Sequence, residues 1–362
     1  MRILMRMYYT LIQYDIAMRR IILSLIMVIL TGVALGAERL TAPLLPTATI
    51  VALRDSETEP IPLKIATLRG QAGTPAEAIV DNVEIPYQVG DAVVWEREGN
   101  GVARVVEFDR LPGTVRLVAV FLIAVLAISG IQALRSLLGL FISIGVVFSF
   151  ILPQIAAGAH PIVVALIASL IILVASYYLT HGVSAKTTIA IIGSLGALGV
   201  VGALALVFAR LMHITGYGAE EVFFLPAALA SPQTIRNVLL AGMLIGSLGV
   251  LDDITIAQAS IVAELKAANH KLDWQDLYQR AMRVGHDHIA SLVNTLVLVY
   301  TGSALPLLLL FTDSNQRVAA LVNYEAVAEE ILTTLVGSIG LVAAVPVTTL
   351  IASWYFAQTK RG

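Results

Sequence analysis

The sequence predicts an all-α polytopic membrane bundle of about eight transmembrane helices with a small extracytoplasmic β-barrel or sandwich domain. The first observation is composition: of 362 residues, 58% are hydrophobic and 13% charged, and the mean hydropathy is +0.85. Soluble domains carry fewer apolar and more charged residues. The second observation is that apolar runs of about 18 residues, the length of a bilayer-spanning helix, recur along most of the chain. The third is one interruption, over residues 38–113, where short runs typical of strands replace them.

Composition divides the chain into three parts: 1–37, an N-terminal cytoplasmic segment with an anchor or signal helix; 38–113, the extracytoplasmic β-rich domain; and 114–362, a seven-helix transmembrane domain. The first apolar segment, Ile21–Leu35, follows Arg19 and Arg20 and ends in small residues. These flanks fit either a retained anchor or a cleaved signal peptide. Both alternatives export the residues that follow.

The β-rich part contains two clear strand patterns, Ala48–Leu53 and Asp91–Trp95. Glu98–Gly101 predicts a hairpin after the second of them, because glycine and asparagine tolerate the positive φ that tight turns need. A domain of this size is near the limit at which a single core is stable. We therefore expect the domain to be stabilised by packing against the membrane domain or an extracytoplasmic partner.

Seven apolar segments follow the β-rich part, and each is long enough to cross a bilayer. They are Val115–Leu134, Leu137–Ala156, Pro161–Leu179, Thr188–Met212, Ile235–Val262, Ile289–Phe311 and Ile331–Phe356. Two connections are longer than the others. Residues 216–231 are either an interfacial or re-entrant segment or an ordinary loop, and residues 264–285 are either an amphipathic helix on the membrane or a loop.

The distribution of Lys and Arg predicts the orientation. With a cytoplasmic N-terminus, most basic residues of the short connections fall inside: Arg135, Lys186, Lys266, Lys271, Arg280, Arg283, Lys360 and Arg361. Positive charge on cytoplasmic loops sets orientation in bacterial inner membranes. We therefore expect a multi-pass protein of the bacterial cytoplasmic membrane with both termini cytoplasmic. The lipid bilayer is its first partner, and a homo-oligomer is compatible with the sequence.

Charge and cysteine content exclude several functions. The net charge is −2 and no basic stripe with interleaved aromatic residues occurs, so nucleic acid is not an expected partner. The chain has no cysteine, which excludes disulfides, thiolate metal sites and cysteine nucleophiles. No Walker loop, GxSxG elbow or HExxH motif occurs, so neither ATP coupling nor soluble-enzyme chemistry finds support. The sequence names no cofactor.

Two adjacent carboxylates, Asp252 and Asp253, interrupt the apolar segment Ile235–Val262. A charged side chain at the bilayer centre costs about 2.5–3.5 kcal/mol, so each should face a cavity or a partner, or be protonated. The predicted ion or proton site is Asp252, Asp253, Thr255, Gln258 and Glu264. The alternative is structural: the aspartates cap a helix that restarts after Gly249.

Helical spacing places small and polar residues of this segment on one stripe, which another helix or a pore should cover. The stripe consists of Gly242, Gly246, Gly249, Asp253, Ser260 and Glu264. A second set of glycines recurs at every third position and is expected to allow close helix packing rather than to form a hinge. That set is Gly193, Gly196, Gly199 and Gly202.

Polar residues also mark the start of the segment Ile289–Phe311. His288, Ser291, Asn294 and Thr295 are candidate path-lining residues, because helical spacing puts most of them on or beside one face. A histidine near an interface can serve as a proton relay. His286 and His288 together can ligate a metal only if they precede the helix proper, since alternate positions of a helix diverge by about 200°. The identity of any metal stays open.

Two of these motifs resemble the YibE/F family of bacterial multi-pass membrane proteins. One is GVLDD at 249–253, followed by Gln258 and Glu264; the other is NTLVLVY at 294–300, followed by Gly302, Leu305 and Pro306. The resemblance extends from Val115 to the C-terminus. It implies a bacterial cytoplasmic membrane location and carries no catalytic residue over to this chain.

Three functions are consistent with these residues. The first is a cation- or proton-coupled transporter or permease that uses the buried aspartate pair. The second is a membrane scaffold or receptor whose outer β domain binds a partner. The third and weakest is an intramembrane metal-dependent enzyme using Asp252, Asp253, His286 and His288. An enzyme is not the expectation.

Overall fold

A computed structural model describes residues 46–55, 64–70, 74–80, 85–99, 101–309, 320 and 322–358, and only the backbone of 131–133. The apolar segment Ile21–Leu35, predicted as an anchor or signal helix, lies outside these residues. The chain forms two compact units. One lies within Gly36–Ala133 and contains a small barrel and the first helix; the other contains the helices from Leu134 onward.

The first unit contains a closed five-stranded barrel, so the barrel alternative is confirmed over the sandwich. Its strands are β1 Thr47–Asp55, β2 Lys64–Gly70, β3 Glu77–Val80, β4 Ala92–Arg97 and β5 Ala103–Phe108. The order β1-β2-β3-β5-β4 closes because β1 pairs with both β2 and β4, and the β3–β5 pair is parallel. This is the strand order of the OB fold.

Alternation along the strands builds the barrel core. Side chains two residues apart point to the same side of a strand, and one side of each strand is buried. The buried strand residues are Ala48, Ile50, Ala66, Leu68, Ala78, Val80, Val93, Trp95, Ala103 and Val105. The predicted hairpin joins β4 to β5: Gly101, at φ 84°, donates its N–H to the Glu98 carbonyl at 2.8 Å. That prediction is confirmed.

Six described helices are long and apolar enough to cross a membrane. They are α1 Leu111–Gly130, α2 Leu134–Ala156, α3 Pro161–His181, α4 Ala185–Leu211, α5 Pro232–Ala268 and α8 Glu325–Gln358. The remaining α-helices of the described residues are α6 Trp274–Ser303 and α7 Leu305–Leu309. The protein is therefore mainly helical, as predicted, with a small barrel before the helices.

Local chemistry explains where these helices begin. Ser184 and Ser231 precede α4 and α5, and each accepts a hydrogen bond from an N–H of the first turn. Asp273 does the same for α6, accepting from Asp276 N at 2.8 Å. Such caps satisfy N–H groups that have no partner inside the helix. α1 ends at Gly130, whose φ of 57° is accessible to glycine but costly for other residues.

The helix α6 differs from the prediction. The expected amphipathic segment before residue 285 and the apolar segment Ile289–Phe311 form one continuous helix as far as Ser303, and α6 is not among the six membrane-capable helices. Leu277, Ala281 and Gly285, four residues apart, are its buried stripe. Gly285 lies where a larger residue would not fit: an added Cβ would overlap Gln258 and lie 2.6 Å from Val345 Cγ1.

In the second unit, α4, α5 and α8 pack against one another pairwise, α6 packs on α8, and α3 packs on α5. The connection from α4 to α5 contains two 3₁₀ turns, Glu220–Phe224 and Ala227–Leu229. The first residues of this connection form hydrogen bonds with the start of α8. Glu325 accepts hydrogen bonds from Thr215 Oγ1 at 2.7 Å and Gly216 N at 2.9 Å, and buried Glu329 accepts from Gly218 N at 3.2 Å.

Candidate functional site

A cavity of about 510 Å³ opens between α2, α3 and α5 in the helical unit. Both aspartates that the sequence singled out lie on its wall. Hydroxyl side chains provide most of the other polar lining, and no Lys or Arg is among the described residues that line it. The polar lining residues are Ser136, Ser143, Ser176, Tyr177, Thr180, His181, Asp252 and Asp253.

Packing of α2 on α3 shapes one side of this cavity. Gly139 lies so close to α3 that an added Cβ would be 3.0 Å from Ser176 Oγ and 3.2 Å from Thr180 Oγ1. Nearby, a π-helical turn at Val147–Ile151 precedes Pro153, which has no N–H to continue the regular hydrogen bonding. Close approach at Gly139 therefore keeps two hydroxyls at the cavity wall.

The aspartates lie in the interior of an unbroken helix. α5 continues through Gly249, Asp252 and Asp253, and its N-cap is Ser231. The alternative in which the aspartates cap a restarted helix is therefore wrong, because residues at these positions have helical hydrogen bonds rather than free N–H groups to satisfy. Asp252 is half-buried and Asp253 is exposed at the cavity.

Behind Asp252, three buried hydroxyls from three helices meet. Tyr177 on α3 lies 2.7 Å from Ser194 Oγ on α4 and 2.8 Å from Thr255 Oγ1 on α5. The Ser194 and Thr255 hydroxyls are 2.8 Å apart, so the three form a closed triangle. Tyr177 also donates to the Asp252 carbonyl at 3.2 Å. We call these residues the hydroxyl triad; of the three, Tyr177 lines the cavity.

Two other members of the predicted ion site lie away from the cavity. Gln258 is fully buried, donates Nε2 to Thr349 Oγ1 at 3.2 Å, and has no partner for Oε1. It belongs to the contact between α5, α6 and α8. Glu264 is exposed and does not line the cavity. Of the five residues proposed, the structure places Asp252 and Asp253 at the cavity and Thr255 immediately behind it.

The candidate path residues of α6 are not brought to the aspartates. Ser291, Asn294 and Thr295 are exposed, and none of them lines the cavity. His288 is half-buried, and its Nδ1 is buried without a partner. The reason is the helix arrangement: α6 packs on α8 and α5, whereas α2 and α3 form the cavity with the other side of α5. Residue spacing in the sequence could not predict which helix would pack beside the aspartates of α5.

No group of three or more His, Asp or Glu side chains that could hold a metal ion occurs in the described part of the chain. His286 and Asp287 are exposed on α6. Since both histidines lie inside α6 rather than before it, their side chains diverge, as the helical geometry requires. The ligand set considered for a metal-dependent enzyme is not assembled.

The glycines differ in what surrounds them. An added Cβ at Gly193 would overlap Thr348 Oγ1 on α8, whereas at Gly196 and Gly202 it would make ordinary contacts of 3.5 and 3.4 Å. Around Gly199, Gly242, Gly246 and Gly249 such a Cβ would meet no atom within 4 Å. The last three are exposed, and of the predicted stripe Gly249 and Asp253 line the cavity beside α2 and α3, whereas Gly242, Gly246 and Glu264 do not.

Sequence reasoning did not single out Tyr177, Ser194 or His181. His181 ends α3 at the cavity, with its ring 6.3 Å from that of Tyr177. A signal was present: Ser176, Tyr177, Thr180 and His181 concentrate polar groups at the end of an otherwise apolar segment. Polar groups inside an apolar helix require partners. The spacing of these four residues places them on the face of α3 that is turned toward α5.

Comparison with known proteins places this chain in a family. The family described as YibE/F-like protein matches residues 117–358, about two thirds of the chain. No curated protein and no solved structure matches. The chain belongs to the YibE/F-like family, which confirms the resemblance carried by its two motifs. Together with six apolar helices, this membership identifies it as an integral membrane protein.

Proposed function

We propose that this YibE/F-like protein is a cation- or proton-coupled transporter and that the cavity beside Asp252 and Asp253 is its coupling site. One observation carries the proposal: two adjacent carboxylates on a membrane-capable helix line a cavity whose other polar groups are hydroxyls and one histidine. An ionised carboxylate at the bilayer centre costs about 2.5–3.5 kcal/mol. A bound proton or cation removes that cost, so occupancy and conformation become linked.

The lining favours a small, positively charged ligand. Carboxylate and hydroxyl oxygens are the groups that hard cations select, and a carboxylate out of water also binds protons readily. No Lys or Arg among the described residues lines the cavity with Asp252 and Asp253; the one basic side chain in the lining is His181. The volume of about 510 Å³ exceeds that of a bare ion. It accommodates a hydrated ion or a small organic cation.

The proposal includes the orientation predicted from the basic residues, with both termini on the cytoplasmic side of a bacterial inner membrane. In that orientation α3 runs inward and ends at His181, so the cavity loads from the cytoplasmic half. The alternative function is a scaffold or receptor whose barrel, within the 38–113 domain, binds an extracytoplasmic partner. In that case the aspartates would only contribute to helix packing.

Ligand-dependent stability tests the proposal. The purified full-length protein in detergent is titrated with Na⁺, Mg²⁺, Ca²⁺ and pH while its thermal unfolding is measured. A ligand at about 100 times its Kd adds about 2.7 kcal/mol to the free energy of unfolding. We expect such a shift in the wild type and its loss in Asp252→Asn and Asp253→Asn. Proteoliposome flux with the same variants then identifies the transported ion.

Glu264→Gln is the matched control, because it neutralises a carboxylate on the same helix that does not line the cavity. It should titrate like the wild type. An equal loss of the shift in Glu264→Gln would attribute the effect to net charge instead of the cavity. No shift in any protein, with the Asp variants merely less stable, would support the scaffold.

A further inference from the structure

A second cavity, of about 240 Å³, lies between the end of α6, α7 and the start of α8. It shares no lining residue with the cavity beside the aspartates. Glu330 is the only charged residue among the described residues that line it, and most of its wall is aliphatic. The aliphatic side chains are Val297, Leu307, Leu308, Val327, Ile331 and Leu335. We call this cavity the Glu330 pocket.

The carboxylate of Glu330 faces the end of α6, because its Oε1 lies 3.4 Å from Ser303 Oγ. That hydroxyl has a shorter contact of 2.9 Å with the Tyr300 carbonyl, and a hydroxyl donates only one proton. Thr334, which also lines the pocket, donates to the Glu330 main-chain carbonyl at 2.8 Å. No Lys, Arg or His is among the described lining residues. The carboxylate therefore has a weak donor and no counter-charge within the pocket wall.

This combination of one carboxylate with aliphatic walls selects a class of ligand. An anion would be repelled by Glu330, and a neutral apolar molecule would leave the carboxylate without a partner. A hard metal ion needs several oxygen ligands, about six to eight for Ca²⁺, which aliphatic side chains cannot supply. An ammonium group carrying a short hydrocarbon satisfies both parts, because it forms a charge-assisted hydrogen bond and buries apolar surface.

We propose that the Glu330 pocket binds an organic ammonium ion, with the ammonium at the Glu330 carboxylate and the hydrocarbon against the aliphatic wall. This site is separate from the cavity beside Asp252 and Asp253 and does not rest on the function proposed for it. The volume is below the roughly 300–1,000 Å³ of sites for drug-sized ligands. The ligand is therefore a small amine, or the amine end of a larger amphiphile such as an ethanolamine lipid.

The test is a titration of the full-length protein with hexylamine, which is protonated at pH 7 as a lysine amine is. Thermal unfolding is followed in detergent, and 1-hexanol, of similar shape and no charge, corrects for partitioning into the micelle. We expect hexylamine to stabilise the wild type. Its midpoint should rise about tenfold in Glu330→Gln, as for a lost hydrogen bond to a charged group. Butylamine should require about fifteenfold more than hexylamine, since each buried methylene contributes about fourfold.

Two carboxylate variants outside the pocket are matched controls. Asp252→Asn and Glu264→Gln should both keep the wild-type hexylamine midpoint, because neither residue lines the Glu330 pocket. Ala304→Leu adds bulk at the pocket wall without changing charge and should also weaken hexylamine binding. Equal midpoints in the wild type and Glu330→Gln, or a midpoint that moves only in Asp252→Asn, would overturn the inference. A wild type that hexylamine does not stabilise would overturn it too, and would leave the proposed ion site untouched.

The same titration in nanodiscs distinguishes the two sources of the ammonium group. One preparation contains phosphatidylglycerol alone, and the other also contains phosphatidylethanolamine. A wild-type hexylamine midpoint that rises with phosphatidylethanolamine, and does not rise in Glu330→Gln, would show that the lipid head group occupies the pocket. Equal midpoints in the two preparations, with Glu330→Gln still weaker, would assign the pocket to a free amine.

Discussion

The contact between Gly193 on α4 and Thr348 on α8 allows a quantitative test of the helix packing. Both residues are buried, and Thr348 is completely so. In Gly193→Ala the new Cβ would overlap Thr348 Oγ1 and lie 3.0 Å from Thr348 Cβ. Because Thr348 Cβ is fixed to the α8 backbone, a change of rotamer cannot relieve the contact. The two helices must move apart.

The expected cost follows from comparison with Gly199→Ala on the same helix, where an added Cβ would meet nothing within 4 Å. Both substitutions gain about 1 kcal/mol of helix propensity, so this gain cancels in the comparison. Overpacking a core costs about 1–3 kcal/mol. Gly193→Ala should therefore be about 1–3 kcal/mol less stable than Gly199→Ala, by denaturant unfolding in micelles.

A second substitution at the contact checks the cause. Thr348→Ala removes both Oγ1 and Cγ2, and Oγ1 has no hydrogen-bond partner to lose. Combined with Gly193→Ala, it should restore part of the lost stability, because the overlap with Oγ1 is removed while the 3.0 Å contact with Thr348 Cβ remains; residues in contact show coupling energies of about 0.5–3 kcal/mol. Equal stability of the two Gly→Ala variants, or no rescue by Thr348→Ala, would refute the assigned helix contact.

Two further predictions concern other parts of the chain. Gly218→Ala should lower the free energy of unfolding by about 1–3 kcal/mol, because an added Cβ would lie 2.6 Å from Glu329 Oε2 and 2.8 Å from the Ala326 backbone. Gly242→Ala is the control, because an added Cβ there meets no atom within 4 Å. Equal denaturant midpoints of the two variants would contradict the prediction. Burial, followed by the nearby Glu107 charge, raises the pKa of Tyr87 in the barrel. Its neutral form is thus favoured on folding, so the stability it contributes is complete below about pH 10 and is lost as pH rises through the raised pKa. Above about pH 10, Tyr87→Phe should lose less stability than the wild type, as measured by thermal unfolding and tyrosinate absorbance. Equal losses of stability in the two proteins would argue against this.

Sequence patterns were sufficient for features that depend on local chemistry. Alternation and the Glu98–Gly101 turn predicted a small β-barrel or sandwich, because period-two burial and positive φ are properties of a few neighbouring residues. Apolar length predicted the helices, because the bilayer sets it. The aspartates were identified by the cost of charge in a spanning helix. The same reasoning was wrong at α6, because it predicted two separate elements where the structure has one continuous helix.

Tertiary structure alone decided which residues share the site. Gly193 and Gly199 occur in one repeat, yet only Gly193 contacts Thr348 closely, since a helix faces each neighbour with only part of its surface. For the same reason His288 lies away from the aspartates, whereas Tyr177 of α3 contacts the Asp252 main-chain carbonyl and Ser194 of α4 contacts Tyr177. Sequence determined that this chain places carboxylates in an apolar helix. Helix packing determined that hydroxyls, His181 and an open cavity, without Lys or Arg among the described lining residues, surround them.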